Sequence, residues 1–252
     1  MTDYTLKKSL GQHFLKDENV TKRIVEELTS IQYRQLLEVG PGAGALTKYL
    51  QSIEGIDFKA VELDNEKVIY LEKIYPTLAN KIIEASILDI DAPFENNFVV
   101  IGNFPYNISS QILFKILDWK NQVTDSIGMF QKEVADRVAA GPGSKTYGIL
   151  SVLVQAYYDV KYLFDVPPES FNPPPKVMSG VIRLTKRSIL PNFKSERSLF
   201  VLVKLAFNQR RKTLRNATKS LFSAEVLQDP IFDKRAEQLS VNEFAALTFK
   251  MN

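Results

Sequence analysis

Cysteine is absent from the 252 residues, and histidine occurs once, as His13. Without thiols there are no disulfides and no thiolate metal sites. A single histidine leaves no His-based metal cluster and no Ser-His-Asp triad. No metal is therefore expected. No apolar run approaches the ~20 residues that a membrane helix needs. Met1 to Leu10 lacks the apolar core of a signal peptide, so a cytoplasmic protein without a membrane partner is expected. What is present is ordinary: 45% hydrophobic and 24% charged residues. That suits one large globular domain, or a medium domain with a small appendage.

Net charge is only +3, but it is unevenly spread. From Lys186 to Lys219 ten basic residues face one acid, Glu196, so this segment is +9 and the rest of the chain −6. A basic block on a chain otherwise short of positive charge points to a polyanion such as nucleic acid. A merely solvated helix face usually interleaves both signs.

One stretch organises the rest. Val99-Val100-Ile101-Gly102 is an apolar run that stops, and Asn103-Phe104-Pro105-Tyr106 follows. Helical periodicity then begins at Ile108, Ile112, Leu113, Ile116 and Leu117. A buried strand feeding a helix through a tight loop puts that loop at the carboxyl end of a strand, where open α/β sheets bind ligands. Asn103 offers a side-chain carbonyl. Phe104, preceding a proline, is expected to be extended. Pro105 is rigid, with a backbone carbonyl that no helix claims, and Tyr106 offers a flat face. Two acceptors and an aromatic platform suit a planar ring with an exocyclic amine. A plain strand-to-helix turn capped by Asn107 or Ser109 would also fit these residues.

Upstream, Leu36 to Gly40 reads as a short buried strand running into Gly40-Pro41-Gly42-Ala43-Gly44. Glycines at alternate positions let the backbone turn sharply and approach a ligand. The spacing is not that of the dinucleotide fingerprint, nor of a phosphate-binding Walker loop. The next strand, Phe58 to Glu62, ends in an acid twenty-two positions after Gly40. A doubly wound fold places its ribose-binding carboxylate there. Together these features indicate a cofactor containing adenosine.

Further strands are expected at 81–86, 98–101, 125–130, 160–166 and 177–184, with helices at 132–140 and 147–158. Asp17 is positioned to cap a helix through Ile24, Val25 and Leu28. The stretch from Pro167 to Lys176 holds Pro167, Pro168, Pro173, Pro174 and Pro175. It should be too stiff for strand or helix, presenting Phe171 as a second aromatic platform and Lys176 as a phosphate or ribose contact. A boundary is expected at 187/188. Residues 188–252 are helical in period, and Ser240 with Glu243 forms a capping box.

Taken together, these residues resemble the KsgA family of small-subunit ribosomal RNA adenine N6-dimethyltransferases. The resemblance covers essentially the whole chain. It is carried by Gly11-Gln12-His13-Phe14-Leu15, Glu38 to Gly42, Val61-Glu62, Asn103 to Tyr106, Phe171 to Ser179, and the basic run Phe207 to Asn216. It implies a class I (Rossmann-like) methyltransferase fold, with a seven-stranded, mostly parallel sheet and a small all-α C-terminal domain. Residues 1–187 would form the S-adenosylmethionine-dependent domain, and 188–252 a helical domain for RNA or ribosome contact. His13 and Leu15 would lie beside the cofactor, Gly40 would approach its methionine part, and Glu62 would hold its ribose. The family usually has an acid at the position touching the cofactor adenine; here that position is Ser86, with Asp89 nearby.

The resemblance further implies dimethylation of two adjacent adenosines in a 3′-terminal hairpin of 16S rRNA, in the immature small subunit, by a monomer. Asn103 and Pro105 would accept from the adenine amine while Tyr106 and Phe171 stack the base. Lys176, Arg210, Arg211, Lys212 and Arg215 would contact RNA. Rival readings are a large-subunit rRNA enzyme conferring macrolide resistance, an assembly or transcription factor that binds RNA without methylating it, and a DNA amine methyltransferase.

Overall fold

The computed structural model describes residues 13–252; the Gly11-Gln12 pair lies outside the described residues. Among the described residues nine strands form: β1 (Phe14–Leu15), β2 (Gln35–Val39), β3 (Asp57–Glu62), β4 (Ile82–Glu84), β5 (Phe98–Asn103), β6 (Val123–Gln131), β7 (Tyr158–Val166), β8 (Phe171–Asn172) and β9 (Ser179–Lys186). Seven make one sheet, in the order β4-β3-β2-β5-β6-β9-β7. β4 to β6 run parallel, and β9 lies antiparallel to β6. Leu36, Leu37 and the run from Phe98 to Ile101 are wholly buried. Unbroken apolar strands of this kind belong to a sheet covered on both faces. The expected α/β class and seven-stranded, mostly parallel sheet are therefore present. β2 pairs with β3 on one side and β5 on the other, so the strand order reverses between β2 and β5. Open α/β sheets bind ligands in the crevice at such a point.

The helices are α1 (Glu18–Glu26), α2 (Thr47–Leu50), α3 (Asn65–Ile74), α4 (Ser109–Asp118), α5 (Lys132–Ala139), α6 (Ile149–Gln155), α7 (Glu196–Asn208), α8 (Leu214–Ala217) and α9 (Val241–Leu247). Asp17 caps α1 as its sequence predicts, accepting from the N–H groups of Asn19 and Val20. The Ser240–Glu243 capping box is formed at α9. Among the described residues, no helix is long and apolar enough to cross a membrane.

The proline-rich stretch departs from expectation. Pro168–Ser170 form a single 3-10 turn, and Phe171–Asn172 pair antiparallel with Phe14–Leu15 as the β8–β1 ribbon. The prolines flank this pair, so its ladder hydrogen bonds survive. Phe171 is consequently only 1% exposed and packs in the core with Leu15, Val20 and Ile24. The open second platform expected there is absent, because strand pairing turns the ring inward.

The chain packs as two compact units, residues up to 135 with 161–186, and residues 136–160 with 187–252. The sequence expectation set one boundary at 187/188; the second unit also takes in the excursion 136–160. Within that unit, Tyr147 and Phe244 flank Phe207 at 6.0 and 5.9 Å between ring centroids. Leu199, Leu202 and Val203 of α7 are buried beside this aromatic core.

Candidate active site

A cavity opens at the carboxyl ends of β4, β3, β2 and β5. It brings together His13, Leu15, Gly40, Glu62, Ser86, Asn103, Pro105 and Tyr106. Four adjacent strand ends span three inter-strand steps of about 4.8 Å, roughly 14 Å in all. Ser86 stands at one end and the Asn103–Tyr106 loop at the other. Phe171 does not line it.

Asn103 ends β5, where the chain leaves the sheet. Its side-chain NH2 donates to the backbone carbonyl of His13 at 3.0 Å. That bond fixes which end of the amide is which, leaving Oδ1 as the acceptor. The Pro105 carbonyl, expected to be unclaimed, accepts from Ile108 N–H at 3.2 Å. This bond closes the 3-10 turn Tyr106–Ile108, and a carbonyl has a second lone pair. The Tyr106 hydroxyl bonds Ser179 Oγ. Its ring lies 5.4 Å from that of His13, tilted by 31°. Burial pushes the Tyr106 phenol up from its ordinary value, and the Ser179 bond offsets part of this.

The glycine loop is held from two sides. Gly42, at φ +54°, has a conformation that L side chains rarely adopt, and a Cβ there would fall 2.8 Å from the Phe14 ring. Glu62 accepts from Gly42 N–H through one oxygen and from Asp64 N–H through the other, each at 3.0 Å. Burial raises its carboxyl, an effect these backbone donors partly offset. A second acid, Glu38, stands one residue before the end of β2. Glu38 is 1% exposed, lines the cavity, and its Oε2 has no hydrogen-bond partner among the described residues. Burial foremost, with the Glu62 charge adding, pushes its carboxyl up to about 8, while Thr47 pulls the other way. Among the described residues no Lys or Arg lines the cavity. Two buried acids, one with an orphaned oxygen, fit a cationic small molecule.

At the β4 end, Leu63 is 55% exposed and Ile87 buried, and both line the cavity. They give a flat ring apolar surface to lie against. Ser86 is the polar side chain there among the described residues; its Oγ accepts from Leu88 N–H at 3.2 Å. Asp89 does not line the cavity.

The sequence model of ribosomal RNA adenine dimethylases matches residues 4–250. The chain belongs to that family. A ribosomal RNA small subunit methyltransferase A from Cytophaga hutchinsonii is 52% identical over 248 residues, covering 96% of this chain and 95% of its own. One from Flavobacterium johnsoniae is 52% identical over 249 residues, covering 97% and 95%. Two solved structures share the fold. A dimethyladenosine transferase from Plasmodium falciparum has TM-score 0.78 at 24% identity, covering 92% of this chain and 94% of its own. The 23S rRNA methyltransferase ErmE has TM-score 0.71 at 20% identity, covering 94% and 99%.

For an adenine dimethylase, the basic side chains divide into two kinds. Lys176, Arg211 and Lys212 are exposed. Arg210 is exposed as well and donates to the carbonyls of Lys145 and Tyr147, the latter at 3.2 Å. Arg215 pairs with Asp233 at 2.9 Å and donates to the Leu227 carbonyl at 3.0 Å. Four residues went unassigned in the sequence: Glu38, Leu63, Ile87 and Ser179. An acid inside a buried strand was a signal for Glu38. Leu63 and Ile87 carry no signal of their own beyond following Glu62 and Ser86.

Proposed function

We propose that this adenine dimethylase transfers methyl groups from S-adenosylmethionine to the N6 amines of two adjacent adenosines. The substrate is a 3′-terminal hairpin of 16S rRNA in the immature small subunit, and the enzyme acts as a cytoplasmic monomer. The observation that carries the chemistry is the Asn103 amide, held by His13 so that its carbonyl oxygen is the free acceptor. The choice of subunit follows the names of relatives that match nearly the whole chain.

The cavity fits the cofactor by charge and shape. Leu63 and Ile87 would flank its adenine beside Ser86, Glu62 would take the ribose hydroxyls on its remaining lone pairs, and Gly40, His13 and Leu15 would border the methionine part. When bound, S-adenosylmethionine supplies an electrophilic methyl group. The adenine amine is a poor nucleophile because its lone pair is delocalised into the ring. Asn103 Oδ1 and the Pro105 carbonyl would accept its two N–H bonds, favouring a tetrahedral nitrogen and stabilising the positive charge that develops there. Tyr106 would stack the extruded base. No strong base is required, which suits a chain with one histidine. Arg211, Lys212 and Lys176 would meet phosphates, and the helical residues 188–252 would carry RNA contact.

The test is methyl transfer from labelled S-adenosylmethionine into small ribosomal subunits lacking the modification, with large subunits as control. Dimethyladenosine in small subunits alone is expected. Label in large-subunit RNA would favour the resistance-enzyme alternative. No label, with RNA binding retained, would favour an assembly factor.

A further inference from the structure

Glu38 is the buried titratable group that the proposed methyl transfer leaves without a task. It is the penultimate residue of β2, the strand beside which the sheet order reverses, so it sits under the middle of the cavity. Its Oε2 is sealed from solvent and makes no hydrogen bond among the described residues. Ionising a buried carboxyl with one orphaned oxygen is costly, more than its hydrogen bonding to Thr47 offsets, and the group escapes by holding a proton. The groups that act on it among the described residues, Thr47 and Glu62, include no cation. Glu62 faces it from β3 and adds negative charge, and Tyr75, at the end of α3, is neutral and feels the Glu38 charge. Thr47 of α2 is its polar neighbour. The buried Lys67 of α3 stands against the Phe14 ring, 5.4 Å away, and is not in the lining. Asp64 acts on Glu62 and makes the region more acidic still.

We propose that Glu38 is the counter-charge for the positively charged cofactor, and that cofactor binding expels the Glu38 proton to solvent. The inference rests on S-adenosylmethionine being the cofactor. The balance is simple: the O–H bond of Glu38 breaks, the proton leaves to buffer, and carboxylate and cation remain paired in a dry cavity, where their attraction is little screened. The sign follows by linkage. The free protein holds this carboxyl protonated at neutral pH, whereas the complex favours it ionised. Affinity must then rise with pH until the free carboxyl itself ionises, near pH 8. Methyl transfer removes the sulfonium charge, so the product complex demands less of the carboxylate, which helps a spent cofactor to leave between two successive transfers.

The experiment is titration calorimetry of the whole chain with S-adenosylmethionine at pH 7, in buffers of different ionisation enthalpy. Release of about one proton per cofactor is expected, because a carboxyl titrating near 8 is mostly protonated at pH 7. Affinity should also rise close to tenfold per pH unit between about pH 6 and 7.5. In Glu38→Gln both effects should vanish while binding persists. Equal proton release by native and Glu38→Gln proteins would overturn the role of Glu38. If Glu38→Gln does not fold, a native affinity that is flat across this pH range overturns it equally. Failure of the native protein to bind the cofactor at any pH would instead remove the cofactor assignment, and this inference with it.

Discussion

The side-chain amide of Asn103 and the backbone carbonyl of His13 are joined across 3.0 Å. One bond thus ties the loop at the end of β5 to the segment that leads into β1. That segment also pairs with β8, and His13 Nδ1 bonds the Pro173 carbonyl at 2.9 Å. Asn103 is therefore oriented by a partner ninety residues away in sequence, and its free oxygen is set before any substrate arrives. Such preorganisation matters where charge develops during reaction.

Asn103→Ala should lower methyl transfer by at least about a hundredfold, the scale for losing one aimed polar group in a transition state. RNA affinity should stay within about twofold. Labelled transfer and filter binding measure the two separately, and unchanged turnover would remove Asn103 from the chemistry.

Gly42→Ala should both destabilise the protein and weaken the cofactor. The new methyl meets Phe14 at 2.8 Å and must adopt φ +54°, a conformation costing about 1 kcal/mol or more for an L side chain. Relief requires Phe14, a cavity-lining residue, to move. Thermal unfolding and cofactor titration together should show both losses; a normal melting temperature with normal binding would contradict the close approach.

Ser86→Asp should tighten cofactor binding roughly tenfold, since a charged acceptor bonds an amine about twice as strongly as a neutral one. Asp can also keep the bond from Leu88 N–H that Ser86 accepts. Weaker or unchanged binding would argue that Ser86 does not meet the adenine.

Replacing Arg211 and Lys212 by Gln should reduce the slope of log affinity against log salt by about 1.4 to 1.8, for two phosphate contacts. Arg215→Gln should leave the slope nearly unchanged and lower the melting temperature, because its guanidinium is committed to Asp233 and Leu227. The reverse pattern would reassign the footprint.

Phe171→Ala should cost about 3–5 kcal/mol of stability, as for other buried aromatics. A side chain kept only for stacking a base would leave the melting temperature where it was.

The centre of the sheet was legible because β2 and β5 carry buried apolar runs, Leu36–Leu37 and Phe98–Ile101, that stop at a glycine soon after, a pattern that local sequence carries. That Asn103, Pro105, Tyr106, Gly40 and Glu62 border one cavity was legible because each ends or follows a strand. Phe171 misled because its burial depends on pairing with Leu15, a partner far away in sequence. Nothing within Asn172-Pro173-Pro174 reports that partner. A run of basic residues likewise reveals charge, and only the folded chain reveals that Arg210 and Arg215 already donate to backbone carbonyls. Glu38 stood in plain view in a buried strand, yet its missing partner becomes visible only when the cavity is assembled.

With Asn103 and Pro105 as the acceptors, the pair of carbonyls does more than capture an amine. Unmodified adenine brings two N–H donors and satisfies both oxygens. After one methyl it brings one, and after two it brings none, so the oxygens that drew the base in then face only carbon. The same two atoms would thereby serve as a tally of the methyl groups added, and a fully modified nucleotide would lose its grip on the pocket without any separate sensor.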